Sequence, residues 1–367
     1  MSKMADMNLP EITRHKTRVA KVGSLTIGGD SPITVQSMTN TRTADAAATI
    51  AQVLRLAEAG AEIVRVATPT QEDTAALPEI VAASPVPIVA DVHFHFQRAI
   101  EALQAGVAKI RLNPGNISDR DKVKLVISEA ASRGAAIRIG VNEGSISDRR
   151  DMDKYRQDRE KPLAELMAEK MAEYLAIFEQ EGFDNLVLSA KSHDAYTTVA
   201  VNRELARRWN YPLHLGVTHA GTPATAAIRS AAALGTLLCE GIGDTLRISY
   251  AGDPVNEVMA ANELLYSLRL RKREGIELIA CPTCGRLQMD LSPVIAKMEE
   301  LLKSVKKNLT VAIMGCVVNG PGEAENADIA ICAGRDKAVL YRRGQRIKNV
   351  KTEEIIPTLL KEIDSFQ

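Results

Sequence analysis

Four residues near the C-terminus carry the densest chemistry in this chain: Cys281 and Cys284 in CPTCGR, Cys316 in MGCVVNGPGEA, and Glu323 seven positions after Cys316. Thiolates select soft or borderline metals, chiefly zinc and iron–sulfur clusters. Three sulfurs and a carboxylate fall one thiolate short of an all-cysteine site. A centre held by three thiolates keeps one position that a substrate can enter, which makes it a candidate reaction centre. The glycines and proline of NGPGEA can turn the backbone back toward Cys316, and a carboxylate on iron is harder and more exchangeable than a thiolate. The plainer alternative is a zinc knuckle with Cys332 as fourth ligand. Cys332, inside ICAG among apolar neighbours, reads instead as a small buried hydrophobe, and Cys239 in TLLCEG reads the same way.

A second set of reactive side chains sits on strand-like segments upstream. Arg65, Asp91, His93, Arg111, Asn113, Arg138, Asn142, Lys191, His214, Arg247 and Ser249 fall at the ends of short β-branched runs. Arginine and lysine on otherwise apolar strands are costly to bury unless paired. Either a salt-bridge ring with Asp91, Glu240 and Asp244 satisfies them, or they bind phosphate, whose oxygens suit guanidinium forks. The cations outnumber those acids, which favours phosphate.

The elements that must position these residues follow from periodicity. Eight β-branched runs recur between residues 33 and 250: ITVQSMT, EIVRVAT, PIVADVH, KIRLNPG, AIRIGVN, NLVLSAK, PLHLGVT and DTLRISY. Amphipathic Ala/Leu/Glu-rich stretches separate them, several closed by a glycine where a helix C-cap belongs. Alternating strands and helices imply right-handed βαβ units and a parallel sheet. Eight of them predict a (β/α)₈ TIM barrel over residues 1–273, with KVGSLTIGGD as a hairpin plugging its base. An open doubly wound sheet competes, but the first βα turn lacks its GxGxxG fingerprint. After the charged RLRKREG the pattern changes, and residues 274–367 predict a small α+β, ferredoxin-like domain whose cysteines lie in loops just after strands.

Bulk properties narrow the class. The 367 residues exceed what one hydrophobic core usually organises. Basic and acidic residues balance at 46 each, which gives no electrostatic case for nucleic acid or an anionic membrane. Five cysteines with one close CxxC pair do not suggest a secreted disulfide framework. The polar N-terminus lacks a signal-like apolar segment, and a soluble cytoplasmic protein is expected.

CPTCGR followed by MGCVVNGPGEA resembles the cluster domain of the 4-hydroxy-3-methylbut-2-enyl diphosphate synthase family, of the non-mevalonate route to isoprenoids. VQSMTNT, VADVHF, RLNPGN, IGVNEGS and LCEGIGDTLRIS resemble the barrel of that family, so the likeness runs over nearly the whole chain, in the short bacterial form. It implies a [4Fe–4S] cluster on Cys281, Cys284, Cys316 and Glu323. It implies reductive ring opening and dehydration of 2-C-methyl-D-erythritol 2,4-cyclodiphosphate, with Arg65, Arg111, Asn113, Arg138, Asn142, Lys191, Arg247 and Ser249 around the substrate. Glu240, just before the eighth strand, is the expected proton donor or electrostatic partner. No flavin or nicotinamide fingerprint appears, so flavodoxin or ferredoxin is the expected electron donor. Connectivity adds a further expectation. The last barrel helix returns to the base, leaving ~30 Å of barrel between a cluster domain hung there and its own mouth, so a head-to-tail homodimer is expected. The rival from another class is a zinc-stabilised, non-catalytic binding module on a barrel scaffold, and a zinc-dependent phosphohydrolase is a second enzymatic alternative.

Overall fold

The computed structural model of the chain describes residues 11–366 apart from 94, 113–118, 147–160, 219–220, 282–283, 303–304, 317–319 and 336; the side chains of 145, 320, 321 and 323 are also outside the description. Asn113 therefore lies outside the described residues. The chain divides into two compact units, one spanning Ile12–Arg271 and the other beginning at Lys272.

The first unit opens with an antiparallel hairpin, β1 (Ala20–Val22) and β2 (Leu25–Ile27). Eight parallel strands follow: β3 (Thr34–Met38), β4 (Ile63–Ala67), β5 (Ile88–Asp91), β6 (Lys109–Leu112), β7 (Ala136–Asn142), β8 (Leu186–Lys191), β9 (His214–Leu215) and β10 (Thr245–Leu246). Hydrogen bonding runs β8-β7-β6-β5-β4-β3-β10-β9. Between β8 and β9 a single bridge, Leu188–Leu213, completes the circuit, with the Leu188 amide donating to the Pro212 carbonyl at 2.8 Å. The expected TIM barrel is present, strand for strand.

The two-residue period of each strand sorts its side chains. Val64, Val66, Ile88, Ala90, Ile110, Leu112, Ile137, Ile139, Leu186 and Leu188 point outward into the main apolar core under the helices. The alternate residues point inward. At the base, Ile63, Val89, Ala136 and Val187 form a separate apolar cluster with Ala20, Val22 and Ile27 of the hairpin, which is the stopper that the sequence predicted.

The barrel helices are α1 (Ala46–Glu58), α2 (Gln71–Ala83), α3 (Phe96–Gln104), α4 (Arg120–Arg133), α5 (Leu163–Gln180), α6 (Ala195–Arg208), α7 (Pro223–Cys239) and α8 (Pro254–Ser267). Asp45, Asp119, Asp194 and Asp253 cap their helices through side-chain oxygens, and Thr70 and Asp73 form a reciprocal capping box. These capped N-termini follow the C-terminal ends of the strands, so their dipoles favour negative charge at that end of the barrel.

Two buried polar locks fasten the other end. Asp244 Oδ1 accepts from Arg14 Nη2 at 2.7 Å and from Thr17 Oγ1 at 3.1 Å, and Oδ2 accepts from the Leu213 amide at 2.9 Å. Arg271 donates to the Ile33 carbonyl at 2.7 Å, to Glu62 at 2.6 Å and to Asn262 at 2.7 Å. Ile33 and Glu62 precede β3 and β4, so the chain leaves the barrel at its base.

The second unit is one five-stranded sheet: β11 (Glu277–Ala280), β12 (Thr310–Met314), β13 (Ile329–Ala333), β14 (Lys337–Arg342) and β15 (Gln345–Lys351). The first three strands are parallel and the last two antiparallel. Helix α9 (Ser292–Leu302) joins β11 to β12, α10 (Gly320–Asn326) joins β12 to β13, and α11 (Ile355–Ser365) closes the unit. The strands lie in sequential order, whereas a ferredoxin-like split βαβ would interleave them. Val311, Ile313, Ile329 and Ile331 on one sheet face share a core with α9 and α11, while Ala312, Met314, Ala330 and Cys332 on the other pack with Ala324 of α10.

Removing the Asp244 carboxylate strands Arg14 and the Leu213 amide. Asp244→Ala is expected to lower the barrel's unfolding free energy by ~3 kcal/mol, read as an earlier urea midpoint in far-UV circular dichroism; an unchanged midpoint would refute the lock.

Candidate active site

Above the apolar stopper, the inward positions of the barrel turn cationic. Arg65 of β4, Lys109 and Arg111 of β6, Arg138 of β7, Lys191 of β8 and Arg247 after β10 are all buried or nearly so. Among the described residues, the carboxylates paired with them are Asp91 and Glu257. Asp91 lies 3.5 Å from Arg111, 3.9 Å from Arg65 and 3.2 Å from His93 Nε2, and Glu257 lies 3.3 Å from Arg247. Burial acts to raise the Asp91 carboxyl, but Arg65, His93 and Arg111 together hold it far below the usual carboxylate range. It stays ionised at any physiological pH.

The cations are under-served. Arg65 turns its Nε and Nη2 to the Met38 sulfur at 3.1 and 2.9 Å, a weak acceptor. Arg138 donates through Nη1 to Ser189 at 3.3 Å, while its Nε and Nη2 have no hydrogen-bond partner among the described residues. Burial, then neighbouring Arg65, pushes Arg247 down to about 10, with Glu257 opposing. Burial depresses Arg111, Arg138 and Lys191 as well, reinforced by mutual repulsion. Guanidinium groups remain protonated in proteins. The cost of assembling them is carried by the fold and relieved when an anion enters.

Two glycines make the room. A Cβ on Gly216 would lie 2.6 Å from Lys191 Nζ, and one on Gly140 would lie 3.1 Å from Arg111 Nε. His214 is fully buried beside them; burial first, then Lys191 and Arg138, keeps its imidazole neutral, and its Nε2 has no partner among the described residues. Asn142 pairs in register with Lys191 at the C-terminal end of β7, and Ser249 is half-buried beyond β10.

Glu240 is a correction. It caps the C-terminus of α7 before β10 begins, hence at the base, and its carboxylate is held by the Arg203 guanidinium on the exposed surface, with Nε donating at 2.9 Å. That side-chain pairing holds its carboxyl below the usual range. It faces neither the mouth nor the cations. Asp244 likewise belongs to the base, so neither it nor Glu240 joins a salt-bridge ring.

In the second unit the cysteine loops leave the same edge of the sheet. Cys281 follows β11 and donates its amide to the Ile313 carbonyl of β12 at 2.9 Å. Cys316 follows β12 by two positions. The Cys284 carbonyl accepts from Leu287 at 3.0 Å, the Gln288 amide donates to the Gly315 carbonyl at 3.0 Å, and Leu287 fills the space that a Gly315 side chain would take. The segment that follows Cys284 is thus pinned to the residue before Cys316. Glu323 belongs to α10, which crosses from β12 to β13; its side chain is outside the described set. Cys332 is buried on β13, and burial together with Cys316 pushes its thiol up to about 12, which keeps it a protonated packing residue. Cys239 is exposed at the end of α7, contrary to the expectation of burial.

Residues 17–262 match the model of the GcpE TIM-barrel domain, and residues 277–365 match that of the GcpE protein C-terminal domain. The chain belongs to the GcpE family. Among its curated relatives are proteins named 4-hydroxy-3-methylbut-2-en-1-yl diphosphate synthase (flavodoxin). That of Maridesulfovibrio salexigens is 48% identical over 97% of this chain and 98% of its own length. Those of Clostridium perfringens (46%; 97% of this chain and 100% of its own) and Aquifex aeolicus (47%; 97% and 98%) are similarly close.

Within this GcpE chain, the donor set of the second unit fits an iron–sulfur cluster by chemistry and placement: cysteines following the C-terminal ends of two neighbouring parallel strands, with the segment after Cys284 tied to the residue before Cys316. Among the described residues, no three His, Cys, Asp or Glu side chains stand at metal-binding distance.

Sequence reading missed Lys109, Glu257, Gly140 and Gly216. Lys109 was legible, because Lys109 and Arg111 share a strand face two residues apart; Glu257, on a helix, gave no such signal. Gly216→Ala is expected to displace Lys191 and weaken inorganic pyrophosphate binding about tenfold, ~1.4 kcal/mol, by calorimetry. Glu240→Gln should bind as the parent does; the opposite ranking of the two variants would contradict the placement of the anion site.

Proposed function

We propose that the chain catalyses the reductive ring opening and dehydration of 2-C-methyl-D-erythritol 2,4-cyclodiphosphate to 4-hydroxy-3-methylbut-2-enyl diphosphate, with flavodoxin as electron donor. The observation that carries this reading is the barrel interior: six basic side chains facing inward against Asp91 and Glu257, in a member of a family whose relatives bear that synthase name. In the dianionic cyclodiphosphate a ring C–O bond to phosphate breaks and a hydroxyl leaves as water. Two electrons and one proton are consumed, and the trianionic product results.

Cys281, Cys284 and Cys316 with Glu323 would hold a [4Fe–4S] cluster. When bound, such a cluster supplies electrons singly and a Lewis-acidic iron. The barrel residues do the rest. Arg65, Arg111, Arg138, Lys191 and Arg247 fix the diphosphate, and their positive field stabilises the negative charge that grows on it as the ring opens. Asp91 orients Arg65 and Arg111 and keeps His93 at the rim. Asn113, Asn142 and Ser249 serve the uncharged hydroxyls of the substrate.

A head-to-tail homodimer completes the reading. The chain leaves the barrel at the base, where Arg271 is locked, whereas the cations open at the opposite end. A second copy supplying its cysteine domain to that mouth resolves the separation. No described helix is long and apolar enough to cross a membrane.

Anaerobic purification should give a brown protein with iron and labile sulfide; zinc without sulfide would favour the zinc module instead. Mixing Cys281→Ser with Arg111→Ala subunits should restore part of the activity each lacks alone. Heterodimers without recovery would remove the shared site.

A further inference from the structure

Lys109 is the feature of the barrel that the proposed chemistry leaves unused. Its side chain is fully buried, and Nζ has no hydrogen-bond partner among the described residues. It stands in register with Val89 and Ala136, members of the apolar stopper, and one inward step below Arg111 on the same strand. It therefore occupies the boundary between the apolar base and the cationic interior. Arg138 and His214 lie close enough to interact with it electrostatically, and Arg138 Nε and Nη2 and His214 Nε2 likewise have no hydrogen-bond partner among the described residues.

Among the described residues, the barrel strands present the following charged groups to the interior above Lys109. β4 contributes Arg65, β5 Asp91, β6 Arg111 and β7 Arg138. β8 contributes Lys191, β9 the neutral His214, and the segment after β10 contributes Arg247 with Glu257. β3 presents Gln36 and Met38, and the hairpin face is apolar. Asp91 is shared among Arg65, Arg111 and His93, and Glu257 is taken by Arg247, so among the described residues no carboxylate is left over for the lysine.

We propose that Lys109 is the floor of the anion site and takes up one proton from solvent when the diphosphate binds. The inference rests on the function proposed above. The step is an acid–base one: the Nζ lone pair accepts a proton, –NH₂ becomes –NH₃⁺, and nothing else is made or broken. The physical cause is sequential. Burial, then repulsion from Arg138 and Arg65, holds the empty-site amine well below an ordinary lysine, toward the neutral form. An arriving dianion reverses the local potential and supplies acceptors, so the charged form becomes the favoured one. The sign follows: affinity is greater at low pH and falls as pH rises through the interval between the free and bound values of the amine.

The experiment is anaerobic calorimetry of the holoenzyme with 2-C-methyl-D-erythritol 2,4-cyclodiphosphate in Tris and in HEPES, whose ionisation enthalpies differ. Each phosphorus of the ring has a single, strongly acidic oxygen, so the ligand itself takes up no proton near neutrality. The wild type is expected to take up as much as one proton per barrel, with affinity falling up to tenfold per pH unit. Lys109→Met and Lys109→Gln should both abolish the buffer dependence, flatten the pH profile and weaken binding at the acidic end about tenfold, while cluster absorbance and melting temperature match the parent. Either variant that folds decides the matter, and the wild-type buffer dependence stands as a measurement needing no variant. Binding with no proton uptake, or uptake that persists in the lysine variants, overturns the role of Lys109 and leaves the proposed function intact. A folded, cluster-bearing wild type that binds no cyclodiphosphate overturns the function and this inference with it.

Discussion

Like charges gathered inside a barrel repel one another, and that repulsion governs the rest of this molecule. Arg65, Arg111, Arg138, Lys191 and Arg247 converge where burial strips away the solvent that would screen them. The surrounding architecture makes that arrangement tolerable. Eight hydrogen-bonded strands fix the spacing, capped helix N-termini face the same end, and Asp91 is held ionised as a shared counter-ion. A softer scaffold would relax by splaying the side chains outward. Here the rigid wall converts the repulsion into a standing preference for an anionic ligand.

The strands were legible because a buried parallel sheet writes itself as short β-branched runs, and the inward cations because they interrupt those runs at even spacing. Glu240 was misread for a related reason. It stands just before a strand, and in a parallel barrel that position is at the opposite end from the mouth. Lys109 lay at the first position of its strand, where a cation reads as a solvated boundary residue. Glu257 sits on a helix and reaches the interior across a loop, a contact that no local pattern announces. Gly140 and Gly216 carry no signal in the sequence; their role is the absence of a side chain, visible only once Arg111 and Lys191 are in place.

The second unit shows a different division. Its strands and the helices α9 and α11 follow from periodicity, whereas α10 runs over the GPGEA that reads as a turn; the CxxC motif points to metal or redox chemistry. The sheet order does not follow, because sequential and interleaved arrangements use the same elements with the same apolar faces. What ties the two cysteine loops together is backbone hydrogen bonding across Gly315, which depends on register and leaves no mark in residue type.

The hairpin at the base gives the barrel a single door. With Ala20, Val22 and Ile27 sealing one end, there is no through-passage, and everything that enters must leave by the way it came. Product and incoming substrate therefore cannot pass each other, and occupancy is strictly one at a time. The water expelled in the reaction shares that exit. A ligand held deep in such a cul-de-sac leaves only when the mouth is clear.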